Sequence, residues 1–92
     1  MTFEWDESKN TENVRKHDLS FEEAQLAFYD LKLVLIEDTK HSNIEKRYFC
    51  IGNTGKGIAT VRFTIRCQSI RIIGAGYWRK EKQLYEKRNN IH

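Results

Sequence analysis

Val61-Arg62-Phe63-Thr64-Ile65-Arg66-Cys67-Gln68-Ser69-Ile70-Arg71-Ile72 is the stretch that decides the fold. Read as a hairpin turning at Cys67-Gln68, it pairs Arg66 with Ser69, Ile65 with Ile70, Thr64 with Arg71 and Phe63 with Ile72. Side chains alternate across a strand. Val61, Phe63, Ile65, Ile70 and Ile72 then form one apolar layer. Thr60, Arg62, Thr64, Arg66, Ser69 and Arg71 share the other face. The assignment depends on register, because a slip of one residue flips one strand's set. Arginine holds a phosphate through two parallel hydrogen bonds and stays charged at physiological pH. Arginines on one face, with no acid on the same strands, suit a polyanion; the plain alternative is an ordinary solvent face.

Outward from the hairpin, residues 58–65 and 70–75 read as the last two of four strands. Leu33-Val34-Leu35-Ile36 and Arg47-Tyr48-Phe49-Cys50-Ile51 read as the first two. Short loops between them predict an antiparallel meander. Upstream, Asp6 can cap a polar helix over about 6–16, anchored by Trp5 and Val14. Ser20-Phe21-Glu22-Glu23 fits a capping box and opens a short helix over 21–29, with Phe21, Ala24 and Phe28 at helical spacing. Residues 77–89 predict a last helix. Tyr77, Leu84 and Ile91 fall seven apart along it, as do Trp78 and Tyr85. The fold class is α+β: two N-terminal helices, a four-stranded antiparallel sheet and a C-terminal helix.

The chain has 92 residues, which fits one domain over 1–92. No apolar run approaches the ~20 residues of a membrane helix. The first residues lack the basic start and apolar stretch of a secretory signal. Two cysteines, Cys50 and Cys67, are too few for a disulfide scaffold, which points to the cytoplasm. Charge is uneven. Residues 1–61 carry 8 Lys/Arg against 11 Asp/Glu, whereas residues 62–92 carry 8 against 2. A basic third again suggests a polyanion partner.

Other chemistries find little support. Gly52-Asn53-Thr54-Gly55-Lys56-Gly57 lacks the Gly-Lys-Ser/Thr ending of a phosphate loop and precedes a strand, so it reads as a hairpin loop. His17, His41 and His92 share no metal-ligand spacing with one another or with the cysteines. No metal site and no cofactor are expected. Cys50 reads as a core residue and Cys67 as a turn residue. After the hairpin come Arg79, Lys80, Lys82, Lys87 and Arg88, interleaved with Tyr77, Trp78 and Tyr85. Cations among aromatics make RNA a candidate ligand.

The chain resembles BrnT-type toxins. Phe3-Glu4-Trp5-Asp6, Lys9, Asn13, Lys16-His17 and Ser20-Phe21-Glu22-Glu23-Ala24 look like that family's opening. Asp38, His41-Ser42, Glu45, Arg47 and Gly52 resemble its middle signature. Phe63-Thr64-Ile65-Arg66 and Ile70-Arg71-Ile72-Ile73 resemble its hairpin, and Leu84-Tyr85-Glu86 its final helix. The resemblance implies a RelE-like fold and a ribonuclease toxin of a bacterial type II toxin–antitoxin pair. It also implies a BrnA-like, DNA-binding antitoxin that neutralises the toxin and represses the operon, so that operator DNA is met only through the antitoxin. A toxin dimer within that complex, and no membrane partner, complete the expectation. Three positions depart from the family pattern. Gly76 replaces a usual strand-end arginine, Asp18 a usual glycine, and Ile65 a usual acid. Either Arg79 takes over from the missing arginine or activity is reduced.

RNA carries its own nucleophile, the 2′-hydroxyl. A protein that cuts it needs a base near that oxygen and cations on the phosphate, and in principle no metal. Arg66 and Arg71 are expected to hold the scissile phosphate, with Arg79 or Arg62 assisting. Lys80 and Lys16 extend the RNA-binding set. His17, His41, Glu22 and Lys16 are candidates for the base, with His41 preferred because it lies in a loop within the middle signature. The alternative function is a non-catalytic RNA-binding or co-repressor subunit. The antitoxin is expected to cover part of the basic face.

Overall fold

A computed structural model describes residues 1–91; His92, grouped above with the histidines, lies outside them. The deciding hairpin forms between β4 (Ile58–Arg66) and β5 (Ser69–Gly76), in the expected register: Phe63 opposite Ile72, Thr64 opposite Arg71, Ile65 opposite Ile70 and Arg66 opposite Ser69. Cys67 and Gln68 turn it with φ of 48° and 69°. Two successive positive φ values are those of a type I′ turn, whose twist matches the strands it joins. A register irregularity between Arg62 and Phe63 leaves Ile73 as the extra residue on β5.

The meander continues antiparallel to β3 (Arg47–Asn53) and β2 (Val34–Glu37). The sheet, however, has five strands and is mixed. The chain's opening forms β1 (Thr2–Trp5), which pairs parallel with β5 and gives the order β1-β5-β4-β3-β2. This corrects the four-stranded antiparallel expectation. Four residues carry too little alternation to announce a strand. β1 is held instead by distant partners: Phe3 packs edge-on to Phe28, Trp5 edge-on to Phe21, and Glu4 pairs with Arg71.

α1 (Glu7–His17) starts as expected at Asp6, whose carboxylate accepts the Ser8 N–H. It stops at Asp18, in the left-handed region at φ 52°, where a glycine would be unstrained. Val14, the expected anchor, is exposed; the buried residue of the helix is Asn13. Its amide donates to the Leu19 carbonyl at 2.8 Å and accepts the Ala75 N–H at 3.1 Å. A polar helix is thus docked by one buried amide that joins helix, loop and sheet.

The second helix also differs from expectation. The Ser20–Glu23 capping box is present, but α2 (Phe21–Ala24) is one α turn that tightens into a 3-10 segment, Gln25–Tyr29. This segment lies close on β3. A Cβ on Gly52 would stand 2.3 Å from the Ala27 carbonyl oxygen. Phe21, Ala24 and Phe28 are buried, with Leu19, Cys50, Val61, Phe63 and Ile72, in the core beneath α1 and α2.

α3 (Arg79–Arg88) crosses the opposite face of the sheet, where Tyr85 is buried against Val34 and Ile51, with Leu84 beside them. Tyr77 and Ile91, expected on the same stripe, stay exposed. The Tyr85 hydroxyl donates to Asp30 at 2.6 Å. α3 covers only the end of this face nearest Ile51 and Ile58. The rest, around Arg47, Phe49 and Arg62, is left open. Among the described residues no helix is long and apolar enough to cross a membrane.

Candidate nucleic-acid interface

Opposed residues of an antiparallel ladder share a face. Arg47 and Phe49 of β3 therefore join Thr60, Arg62, Thr64 and Arg66 of β4, Arg71 of β5 and Glu4 of β1 on the α3 side. The arginines lie together, as the register required. Two details differ from the sequence reading. Thr60 and Thr64 are buried rather than solvated, and Thr64 donates its hydroxyl to the Lys46 carbonyl at 2.7 Å.

The face is also not free of acids. Arg66 donates through Nε and Nη2 to Glu45 at 3.2 and 3.1 Å, and Arg71 through Nη1 to Glu4 at 3.0 Å. These carboxylates come from outside the hairpin, which is why inspection of the two strands missed them. Hydrogen bonds from Arg66 hold the Glu45 carboxyl below the usual carboxylate range, helped by the charges of Arg66, Arg47 and Arg71. Both pairs are partly open to solvent, where salt screens them. The fork that takes a carboxylate side-on is also the fork that takes a phosphate.

After β2 the chain makes a 3-10 turn, Thr39–His41. Asp38, at its start, is 8% exposed. His41 Nδ1 lies 2.8 Å from Asp38 Oδ2. The Asp38 N–H donates to the Arg47 carbonyl at 2.7 Å, Ser42 Oγ donates to the Asp38 carbonyl at 2.7 Å, and the Arg47 N–H donates to Ser42 Oγ at 3.1 Å. The turn is thereby stitched to the first residue of β3. His41, Lys40, Asn43, Glu45, Arg47 and Arg66 line a cleft of about 450 Å³ there. Arg47 has a buried Nε with no hydrogen-bond partner among the described residues. Sequence reading placed Arg47 in the family signature but gave it no role. Its register opposite Thr64, on the arginine face, was the available signal.

The other expected site residues do not all join this cleft. Arg71 is on the same face but bound to Glu4. Arg79 lines a separate cleft with Lys56, Tyr77, Trp78 and Lys82. Arg62 lines one cleft of about 340 Å³ with Phe49, Thr60, Trp78 and Glu81, and a smaller one with Lys16 and His17. Lys16 also pairs with Glu12 at 3.4 Å. Lys80 and Glu22 are exposed on the first turns of α3 and α2. Cys50 is buried, and burial pushes its thiol up to about 12, so it is inert; Cys67 is exposed in the turn.

The opposite face of the sheet carries an apolar opening of about 500 Å³, beside Phe28 and between β2 and β5. Leu35 and Ile65 on its walls are 57% and 58% exposed. Ile65 was expected in the covered apolar layer. It points to that side, but no helix reaches it.

Residues 5–82 match the family model described as "Ribonuclease toxin, BrnT, of type II toxin-antitoxin system". No curated protein matches the chain.

Proposed function

The chain belongs to the BrnT family of ribonuclease toxins of type II toxin–antitoxin systems, and from that premise we propose that it cuts RNA internally, without a metal, in the cleft of His41, Arg47 and Arg66. One observation carries the reading: an imidazole oriented by a buried carboxylate opens into the same cleft as two guanidinium groups. With Nδ1–H donated to Asp38, Nε2 keeps its lone pair and serves as base. It takes the proton of the 2′-hydroxyl. That oxygen attacks the adjacent phosphorus as the bond to the 5′-oxygen breaks, leaving a 2′,3′-cyclic phosphate and a 5′-hydroxyl after protonation. Arg66 turns from Glu45 to the phosphate, while Arg47, half-buried and tied at its backbone, is already in place. Both stabilise charge gained in the transition state. A positioned base of this kind contributes ~10²–10⁴-fold.

The experiment is cleavage of single-stranded RNA by purified protein in excess chelator. The parent protein cuts; His41→Ala and Arg66→Ala lose most of the rate. Undiminished cleavage by both variants overturns the assignment of the cleft, and loss of parent activity to chelator overturns metal independence.

The family pairs such a toxin with an antitoxin protein. The reading extends to a BrnA-like, DNA-binding antitoxin, a toxin dimer in the complex, and a cytoplasmic setting. Support for the mode of inhibition comes from the edge strand β2. Among the described residues its outer edge is unpaired, the open apolar wall at Leu35 lies on one side of it, and the His41 turn follows it directly. A partner segment crossing that edge anchors in the apolar opening and reaches the cleavage cleft.

A further inference from the structure

We infer that the cleft between Trp78 and Phe49 is a base subsite that takes a guanine flanking the scissile linkage. This rests on the reading that the chain binds RNA on its arginine face. Two glycines lie beneath two of the cleft's walls. Gly74 and Gly76 stand opposite Arg62 and Thr60 on that face. A Cβ on Gly74 would lie 2.5 Å from Arg62 Nη2, and one on Gly76 would lie 2.6 Å from the six-membered ring of Trp78. With no side chains there, the guanidinium and the indole settle onto the backbone of β5. The lack of a side chain at Gly76 therefore makes room for an aromatic platform. His17 meets the Trp78 ring edge-on at 5.3 Å and props it. Trp78 still keeps 38% of its surface open.

Two charged groups, Arg62 and Glu81, line this space without partners among the described residues. Arg62 is exposed and has no carboxylate within ion-pairing distance. Thr60 is 3% exposed, lines the cleft, and its hydroxyl makes no hydrogen bond among the described residues. Glu81, on the first turn of α3, lines the same cleft with no ion pair or hydrogen bond. An ionised carboxylate only accepts hydrogen bonds, at two oxygens side by side. Guanine alone among the bases offers two adjacent donors on its pairing edge, N1–H and the N2 amino group. Adenine, cytosine and uracil each offer one donor group there. Stacking on Trp78 and Phe49 tolerates any base, so selectivity falls to Glu81. Arg62 is placed for a neighbouring phosphate. The Arg62–Phe49 pair lies two residues along the strands from the Thr64–Arg47 pair, about 7 Å, which is the reach of one nucleotide from the cleavage cleft.

The test uses full-length protein and fluorescein-labelled oligoribonucleotides, 2′-O-methylated throughout so that none can be cut, with either guanine or adenine in an otherwise uracil strand. Anisotropy should show the guanine strand binding about 10-fold tighter, within the range of one good base contact. Glu81→Gln should erase that preference, bringing the ratio of the two strands' affinities to about 1. Trp78→Ala should weaken both strands about 10-fold, with a thermal melt confirming its fold. Equal affinity of the parent for the two strands, or a guanine preference that survives Glu81→Gln, overturns the subsite. Neither outcome bears on His41, whose role is judged by cleavage alone. Failure of the parent to bind either strand removes the RNA-face reading together with the subsite.

Discussion

His41 turns its Nδ1 to the buried carboxylate of Asp38 at 2.8 Å, and this contact decides which ring nitrogen faces the cleft of Arg47 and Arg66. A surface histidine without such a tether exchanges tautomers and rotamers freely. Here the turn itself is tied to β3 through Ser42 and Arg47. The imidazole is therefore presented from a rigid part of the fold, not from a loop tip.

Asp38→Asn should lower kcat while leaving KM nearly unchanged, because substrate contacts stay and only the orientation of the ring is lost. The fall should be smaller than the ~10²–10⁴-fold expected for His41→Ala. Imidazole nitrogen chemical shifts of His41 provide a second readout. They should report the Nδ1–H tautomer in the parent and a mixture in Asp38→Asn.

Glu45 occupies the guanidinium fork of Arg66, the group proposed to take the scissile phosphate. Glu45→Gln should tighten RNA binding, and the gain should shrink as salt rises, since phosphate contacts are themselves salt-dependent. The Glu45 carboxyl is depressed in the folded protein, so the ion pair is complete above the ordinary carboxylate range and is lost only as pH falls through the lowered value. The difference between parent and variant should consequently stay constant from about pH 5 to 8. Anisotropy titrations across salt and pH would check both statements.

Tyr85 anchors α3 through Asp30. Burial, then the hydrogen bond to Asp30 and that residue's charge, push its phenol up to about 12 from an ordinary 10.0. Burial pushes Asp30 up as well, yet hydrogen bonds from Tyr85, Asn53 and Lys32 and the charge of Lys32 keep its carboxyl below the usual range. A folded-state value above the unfolded one contributes stability that is full below the unfolded value and disappears as pH rises through the folded one. Denaturant melts should show parent stability falling between about pH 10 and 12. Tyr85→Phe should be less stable by about 1–2 kcal/mol at neutral pH and should lack that alkaline decline.

Gly52→Ala should destabilise the fold by about 1–3 kcal/mol, because its Cβ meets the Ala27 backbone and not a movable side chain. Thermal unfolding measures this directly. A melting point equal to the parent's would show that the 3-10 segment is free to move off β3.

Leu35→Glu places a charge in the open apolar wall, on the face away from the arginines. Ribonuclease activity should survive, while rescue of growth by co-expressed antitoxin should fail. Full neutralisation of the variant would remove that wall from the inhibitory interface.

Much of this arrangement was legible in the residues themselves. The hairpin register followed from strict alternation on both sides of Cys67-Gln68, and a turn of that length leaves one pairing that keeps Phe63 and Ile72 on the same side. Asp6 and Ser20 announced their helix starts because a cap is a local hydrogen bond, settled within three residues. Trp78 was legible only as an aromatic among cations. Its prop, His17, comes from a separate part of the chain.

What the sequence determined by itself is what neighbouring residues can settle: strand alternation, caps, the two-residue turn and the shared face of the arginines. Tertiary structure alone decided the parallel strand β1, the burial of Asn13 in place of Val14, and the ion pairs that bring Glu45 to Arg66 and Glu4 to Arg71. Those depend on groups 21 and 67 residues apart. Contacts at that range form only once the whole sheet has been assembled, so no local pattern can encode them.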